Sequence, residues 1–259
     1  MQEQEKRDRE LFDDIFFSYA KKDILPSTSI PRKALLLAAV EPLLKERNDL
    51  GVIVEVGCGV GASARYLRGL YREYTGIDQS GKMIEAARAF NRDNDKAHFV
   101  AKNIKDVADE IPDHSADVIL LSGALHHMTE LAQVLRRLKR MLTGDGFILA
   151  LEPQRGNPLI QAMRFIRGLV DKSYSRDQVF FSEKELRDLF SRGGFTGIEV
   201  RYLGFLSPPF AQVILRPQAV FAPLGRLTVA MDKRLHKRMP KALRKLSFNI
   251  ALSCSPANK

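Results

Sequence analysis

The chain has no tryptophan and only two cysteines in 259 residues, Cys58 and Cys254, far apart and without metal-type spacing. That excludes a disulfide framework and a zinc finger, and leaves two free thiols as the simplest reading. No apolar run approaches the roughly 18 residues needed to cross a bilayer. The opening residues MQEQEKRDRE lack the apolar stretch of a secretory signal, so the expectation is a cytoplasmic protein. Acid is scarce in one place only: from Arg201 onward, eleven Lys/Arg face a single carboxylate, Asp232, while the first 200 residues hold 30 bases and 30 acids. The whole net charge of +10 therefore sits in the tail and calls for an anionic surface, either phospholipid headgroups or nucleic acid. Nucleic acid is the weaker fit, because no Lys/Arg run is interleaved with stacking aromatics.

What is present suits a folded domain, since 45% of residues are hydrophobic. Residues 51–57, 74–78, 97–102, 116–125 and 146–152 read as strands. Between them, 62–72, 81–93 and 128–142 carry apolar residues at helical spacing. This alternation predicts right-handed βαβ crossovers and a mostly parallel, doubly wound α/β sheet covered on both faces. Two helices, 8–22 and 32–46, precede it. A helix at 182–195 with a serine N-cap and strands at 197–205 and 246–254 follow. An insertion, 206–245, with prolines at 208, 209, 217 and 223, separates those two strands. The expected organisation is a single domain, 1–259: N-terminal helices to 50, a cofactor-binding core over 51–155, and a substrate-side half over 156–259.

The stretch VEVGCGVGAS, Val54 to Ser63, places glycines at 57, 59 and 61 directly after a strand. Glycine lets backbone approach a ligand closely at a strand-to-helix turn, and the following helix offers free N–H groups. Gly57-x-Gly59-x-x-Ala62 with Asp78 downstream also satisfies a dinucleotide fingerprint, so an NAD-dependent oxidoreductase is one reading. Glu55 opposes it. A carboxylate just before the loop repels a pyrophosphate and favours a ligand carrying an ammonium and a sulfonium.

VEVGCGVG resembles the first motif of the class I S-adenosylmethionine (SAM)-dependent methyltransferases. YTGIDQSGKMIEAAR resembles their second motif, ADVILLSGALHHM their strand-four motif, and LKRMLTGDGFILALEP the helix-turn-strand that follows. The resemblance implies a seven-stranded Rossmann-like sheet in the order 3-2-1-4-5-7-6 and SAM as cofactor. It also implies roles. Gly57, Cys58, Gly59 and Gly61 would form the loop against the methionine and ribose, with Glu55 supporting the amino-group network. Asp78 and Gln79 would hold the ribose, with Met83 on the helix behind them, and Asn103 and Ile104 would flank the adenine. Ser122 and Gly123 would face the transferred methyl. Asn103 stands where an aspartate is frequent; an amide can still accept from the adenine amino group.

Methyl transfer from a sulfonium asks an enzyme mainly to align and desolvate, and a base is needed only when the acceptor keeps its proton. His126 and His127, just beyond the fourth strand, are the candidate bases; their other reading is capping or packing at a helix start. LEPQRGNPL (151–159) resembles the Glu-Pro to Asn-Pro turn of methyltransferases with small, often lipid-linked substrates. The expected reaction is methyl transfer to a small, hydrophobic or lipid-linked acceptor; a SAM-binding or membrane-associated protein without catalysis is the alternative. In the insertion, Leu224, Leu227, Met231, Leu235 and Met239 recur at helical spacing, with Arg226, Lys233, Arg234, Lys237 and Arg238 off that stripe. Such a helix suits an anionic membrane surface, a lid packed on the core, or a dimer contact.

Overall fold

The computed structural model describes residues 2–158, 160–161 and 180–257; Leu159, at the end of the Glu-Pro to Asn-Pro turn, lies outside them. The elements run α1 (Gln2–Ile24), α2 (Pro26–Glu46), β1 (Val52–Val56), α3 (Ala62–Tyr66), β2 (Glu73–Asp78), α4 (Gly81–Phe90), β3 (Ala97–Ala101), β4 (Ala116–Ser122), α5 (Leu131–Met141) and β5 (Leu142–Pro153). Then follow α6 (Glu183–Arg192), β6 (Phe195–Leu203), α7 (Pro208–Gln212), α8 (Gln218–Arg238), α9 (Lys241–Arg244) and β7 (Asn249–Pro256).

The seven strands form one sheet in the order β3-β2-β1-β4-β5-β7-β6. All neighbours pair in parallel except β7, which runs antiparallel to both β5 and β6. Period-two alternation along the central strands divides the core between the two faces. Val54, Ile119, Leu121, Ile148 and Ala150 pack with α5 and α6; Ile53, Val118, Leu120 and Leu149 pack with α2 and α3. Because β4 is buried on both faces, it reads as a continuous apolar run, as parallel strands do.

Several boundaries differ from those expected, each for a local reason. The helix expected over 62–72 stops at Tyr66, and Gly69 adopts φ 86° in the turn that follows. Helix α5 starts at Leu131 because Glu130 takes left-handed φ, 52°. The strand expected over 146–152 starts earlier, at Leu142, and runs through Gly144 and Gly146. Helix α2 begins six residues early and carries Pro31 inside it. At α6 the serine N-cap is present and completes a capping box, with Glu185 N donating to Ser182 Oγ and Ser182 N to Glu185 Oε2.

The insertion is helical, but its apolar stripe does not pack on the core as a lid would. Helix α8 lies against α2 through Ala222, Gly225 and Thr228; a Cβ at Gly225 would sit 3.3 Å from Ser27 O. Leu224, Leu227 and Met231 face outward. Among the described residues no helix is long and apolar enough to cross a membrane.

Candidate active site

In an open parallel sheet, ligands bind beyond the carboxyl ends of the strands, where the strand order reverses. Here that is the crevice between β1 and β4. The loop after β1 carries three glycines in the left-handed region: Gly57 at φ 74°, Gly59 at 51° and Gly61 at 68°. Gly57 and Gly61 are needed for close packing as well. A Cβ at Gly57 would stand 2.6 Å from Ala124 Cβ, and one at Gly61 2.6 Å from the Phe99 ring. At Gly59 a Cβ would meet nothing within 4 Å, so this glycine alone opens away from the protein.

Asp78 ends β2 and ties the loop in place: its Oδ2 accepts from Gly59 N at 2.9 Å and its Oδ1 from Ser80 N at 2.9 Å. Burial holds its carboxyl above the usual range against those two bonds. It is not the cap of α4; Ser80 is, accepting from Met83 N at 3.1 Å. Each Asp78 oxygen keeps a lone pair, so the carboxylate can still accept from a ligand's hydroxyls.

Glu55, 2% exposed, lies beneath the loop. Ser63 Oγ donates to its Oε1 at 2.8 Å and Tyr74 OH to its Oε2. Burial pushes its carboxyl up to about 8; the two hydroxyls oppose that shift, and the charges of Asp23 and Asp78 add to it. Asp23, at the end of α1, accepts from Arg32 Nε (2.6 Å) and Tyr66 OH (2.9 Å) on Oδ1. Its buried Oδ2 has no partner among the described residues. With its carboxyl at about 8, Glu55 is largely protonated at pH 7, so the negative charge near the loop comes from Asp23 and Asp78; a cation bound there would favour ionised Glu55, and a pyrophosphate would not. SAM, with its ammonium and sulfonium, fits that donor set; a dinucleotide does not.

Beyond β4 the chain makes one 3₁₀ turn, Leu125–His127. It is held by Glu152, 1% exposed on β5, whose Oε1 accepts from Ala124 N (3.0 Å) and Leu125 N (2.8 Å). Its Oε2 lies 2.6 Å from His126 Nδ1. Since a carboxylate only accepts, Nδ1 carries the proton and the Nε2 lone pair is left as an acceptor. Phe180 stacks on the His126 ring at 5.3 Å between centroids. His127 packs on His126 (4.2 Å) and edge-on against Phe12 of α1 (5.2 Å). Burial, with the neighbouring His126 second, lowers its pKa to about 3, so it is neutral at pH 7 and a poor base.

The structure gathers Glu55, Gly57, Gly59, Asp78 and His126 around one crevice, and packing sets the surroundings of four other expected site residues. Cys58 turns its side chain into the core, and burial raises its thiol pKa well above normal. Met83 is 1% exposed and Ile104 is packed in the core at 6%. Asn103 Oδ1 is engaged by Lys105 N at 3.1 Å, where it starts a 3₁₀ turn. Gln79 and Ser122 are half-buried beside the crevice, and Gly123, at φ 66°, donates its N–H to Leu151 O. Glu152 was absent from the expected site. Its signal was the acid within a buried strand, in LALEP. Helix α1 was likewise unread as part of the site. Asp13 accepts from Ser80 Oγ, which with Phe12 lays α1 across the crevice.

This sheet, its glycine loop and its acid-tipped second strand define the class I SAM-dependent methyltransferase fold. Residues 54–150 match the family model described as a methyltransferase domain. A SAM-dependent methyltransferase of Thermotoga maritima has the same fold, with TM-score 0.64 at 18% identity over 95% of this chain and 98% of that one. In sequence, 130 residues are 32% identical to the polyketide synthase-nonribosomal peptide synthetase pyiS of Pyricularia grisea, covering 48% of this chain. The methyltransferase YcgJ of Bacillus subtilis is 24% identical over 166 residues, 56% of this chain and 66% of that one. The chain spans only 3% of the synthetase's length.

Proposed function

We propose that this protein transfers the methyl group of SAM to a small acceptor that must first lose a proton, and that His126 takes that proton. The single observation carrying this reading is the buried Glu152–His126 pair at the carboxyl end of the sheet. With an acceptor that needed no deprotonation, the Glu152-oriented imidazole would serve only to hold the turn after β4.

Bound SAM would supply a methyl group on a positively charged sulfur, an excellent leaving group. Asp78 would accept from its ribose hydroxyls. Asp23 would contribute negative potential near its ammonium, that cation would draw Glu55 toward its ionised form, and the Gly59 region would let it lie against the loop. Glu152 acts as a positioning residue, fixing the tautomer in which His126 Nε2 is basic. Phe180, His127 and Phe12 would exclude water from the reacting atoms, strengthening the electrostatics there. His126 then removes a proton from carbon or oxygen beside a carbonyl. A polyketide, to judge by the likeness to pyiS, offers such acidic C–H bonds between carbonyl groups. The apolar rings around His126 favour a hydrophobic or lipid-linked acceptor over a charged one.

Methyl-labelled SAM and a panel of β-dicarbonyl thioesters and phenols test this. Turnover should fall by roughly 10²- to 10⁴-fold in His126→Ala, and similarly in Glu152→Gln, where the amide imposes the wrong tautomer. Affinity for S-adenosylhomocysteine, the demethylated product, should not change. Undiminished turnover in His126→Ala would overturn the base; product binding without transfer to any acceptor would favour a SAM-binding protein.

A further inference from the structure

Helix α8 presents two faces of different chemistry. The inner one is made of small residues, Ala222, Gly225 and Thr228, and seats the helix on α2. The outer one carries Val220, Leu224, Leu227 and Met231 within about 60° of the helix circumference, all exposed, Val220 by 56% and Leu227 by 55%. Arg234 and Arg238 stand at its C-terminal end, the first about 20° beyond its edge and the second in line with it, whereas Arg226 and Lys233 lie about 100° or more farther round the helix. Among the described residues neither Arg234 nor Arg238 has a carboxylate partner. Asp232, the only acid after Arg201, is turned inward, where it accepts from the N–H groups of Phe205, Leu206 and Ser207 at 3.1, 2.8 and 3.0 Å.

Helix α1 also exposes apolar side chains. Phe17 and Ile24, two helical turns apart and therefore on one side, are 61% and 57% exposed. Lys21 lies 4.3 Å above the Phe17 ring. The α1–α2 elbow is joined to the start of α8 by a hydrogen bond from Ser27 N to Gln218 Oε1 (2.9 Å). Helix α1 is also the element that crosses the crevice through Phe12 and Asp13.

We propose that the outer face of α8 docks on an anionic phospholipid bilayer, with Leu224, Leu227 and Met231 entering the interface and Arg234 and Arg238 meeting the headgroups. Charge complementarity selects the occupant. A second copy would bring like charge against like charge, since all of the excess of +10 lies in this part of the chain. A ridge of aliphatic side chains on a convex helix, ending in unpaired cations, matches a planar anionic interface, where apolar burial and headgroup attraction add. The docking needs no turnover and does not depend on the acceptor.

Sedimentation with vesicles tests it, using the full chain, mixed phosphatidylglycerol and phosphatidylcholine vesicles, and pure phosphatidylcholine as the control. Binding should be strong on the anionic vesicles, on the order of tenfold or more weaker on phosphatidylcholine, and reduced by salt. Replacing Arg234 and Arg238 with Gln should weaken it by on the order of 25-fold, about fivefold per cation. Leu224→Ser with Leu227→Ser and Met231→Ser should also release the protein, with circular dichroism and S-adenosylhomocysteine binding unchanged. Absence of binding to anionic vesicles at low salt, or binding indifferent to both sets of substitutions, overturns the proposal. So does a dimer in sedimentation velocity that the Ser variant abolishes, which would assign the face to a second copy.

Discussion

Two glutamates end two strands on either side of β4, both almost wholly buried, and they do different things. Glu55 on β1 is met by two hydroxyls, Ser63 and Tyr74, and burial pushes its carboxyl up to about 8. Glu152 on β5 is met by three N–H groups, two from the backbone and one from His126. The partners, not the residue type or the depth, decide the role. Hydroxyl partners brace a glycine loop from below; N–H partners build a turn and aim an imidazole. The regions touch at one point, since a Cβ on Gly57 would strike Ala124, whose N–H bonds to Glu152.

Breaking the Glu152 side should cost most. Glu152→Ala would leave two backbone N–H groups and His126 unpaired in the interior, about 3 kcal/mol or more of stability, read as the midpoint of urea unfolding. Gly57→Ala strikes the junction: left-handed φ costs roughly 1–2 kcal/mol and the contact with Ala124 adds to it, so both regions should suffer, with lower stability and weaker turnover together.

The Glu55 side should show itself in pH dependence. Its folded pKa is raised above the unfolded value near 4.5, so its contribution is full below pH 4.5 and is lost as pH rises toward 8. His127 has the opposite sign: its folded pKa, about 3, is below 6.5, so its contribution is full above 6.5 and is lost as pH falls toward 3. The two oppose each other between 4.5 and 6.5. From 6.5 to 8 the Glu55 contribution outweighs that of His127, and the wild type should lose on the order of 1–2 kcal/mol that Glu55→Gln does not lose, measured by thermal unfolding at each pH. Equal slopes in the two proteins would contradict a raised Glu55. The smallest effect on stability belongs to Gly59→Ala, about 1 kcal/mol from strain alone; because Gly59 opens toward the crevice, its loss should appear as weakened product binding instead.

Much of this was legible before any coordinates. The glycine loop, Asp78 and the apolar strands are local patterns whose physics does not depend on distant partners, and the sheet order followed from the resemblance they carry. What could not be read depends on three-dimensional neighbours. Glu152 lies 26 residues after His126 in a run of buried aliphatics, and only the pairing of β4 with β5 brings the two together. Asn103, Cys58 and Met83 carry suitable chemistry, but their exposure is set by packing. The stripe on α8 was visible as a pattern, while the face that packs on α2 proved to be the small residues, because Gly225 allows close approach to Ser27 and Pro31. Helix α1 shows no motif at all, and its place over the crevice emerges from Asp13 and Phe12.

The central claim, that the crevice between β1 and β4 holds SAM, is tested most directly by calorimetric titration of the protein with S-adenosylhomocysteine. The account predicts binding in the roughly micromolar range, about −8 kcal/mol, abolished in Asp78→Ala. No heat with the wild type at any accessible concentration, or equal binding by Asp78→Ala, would contradict it.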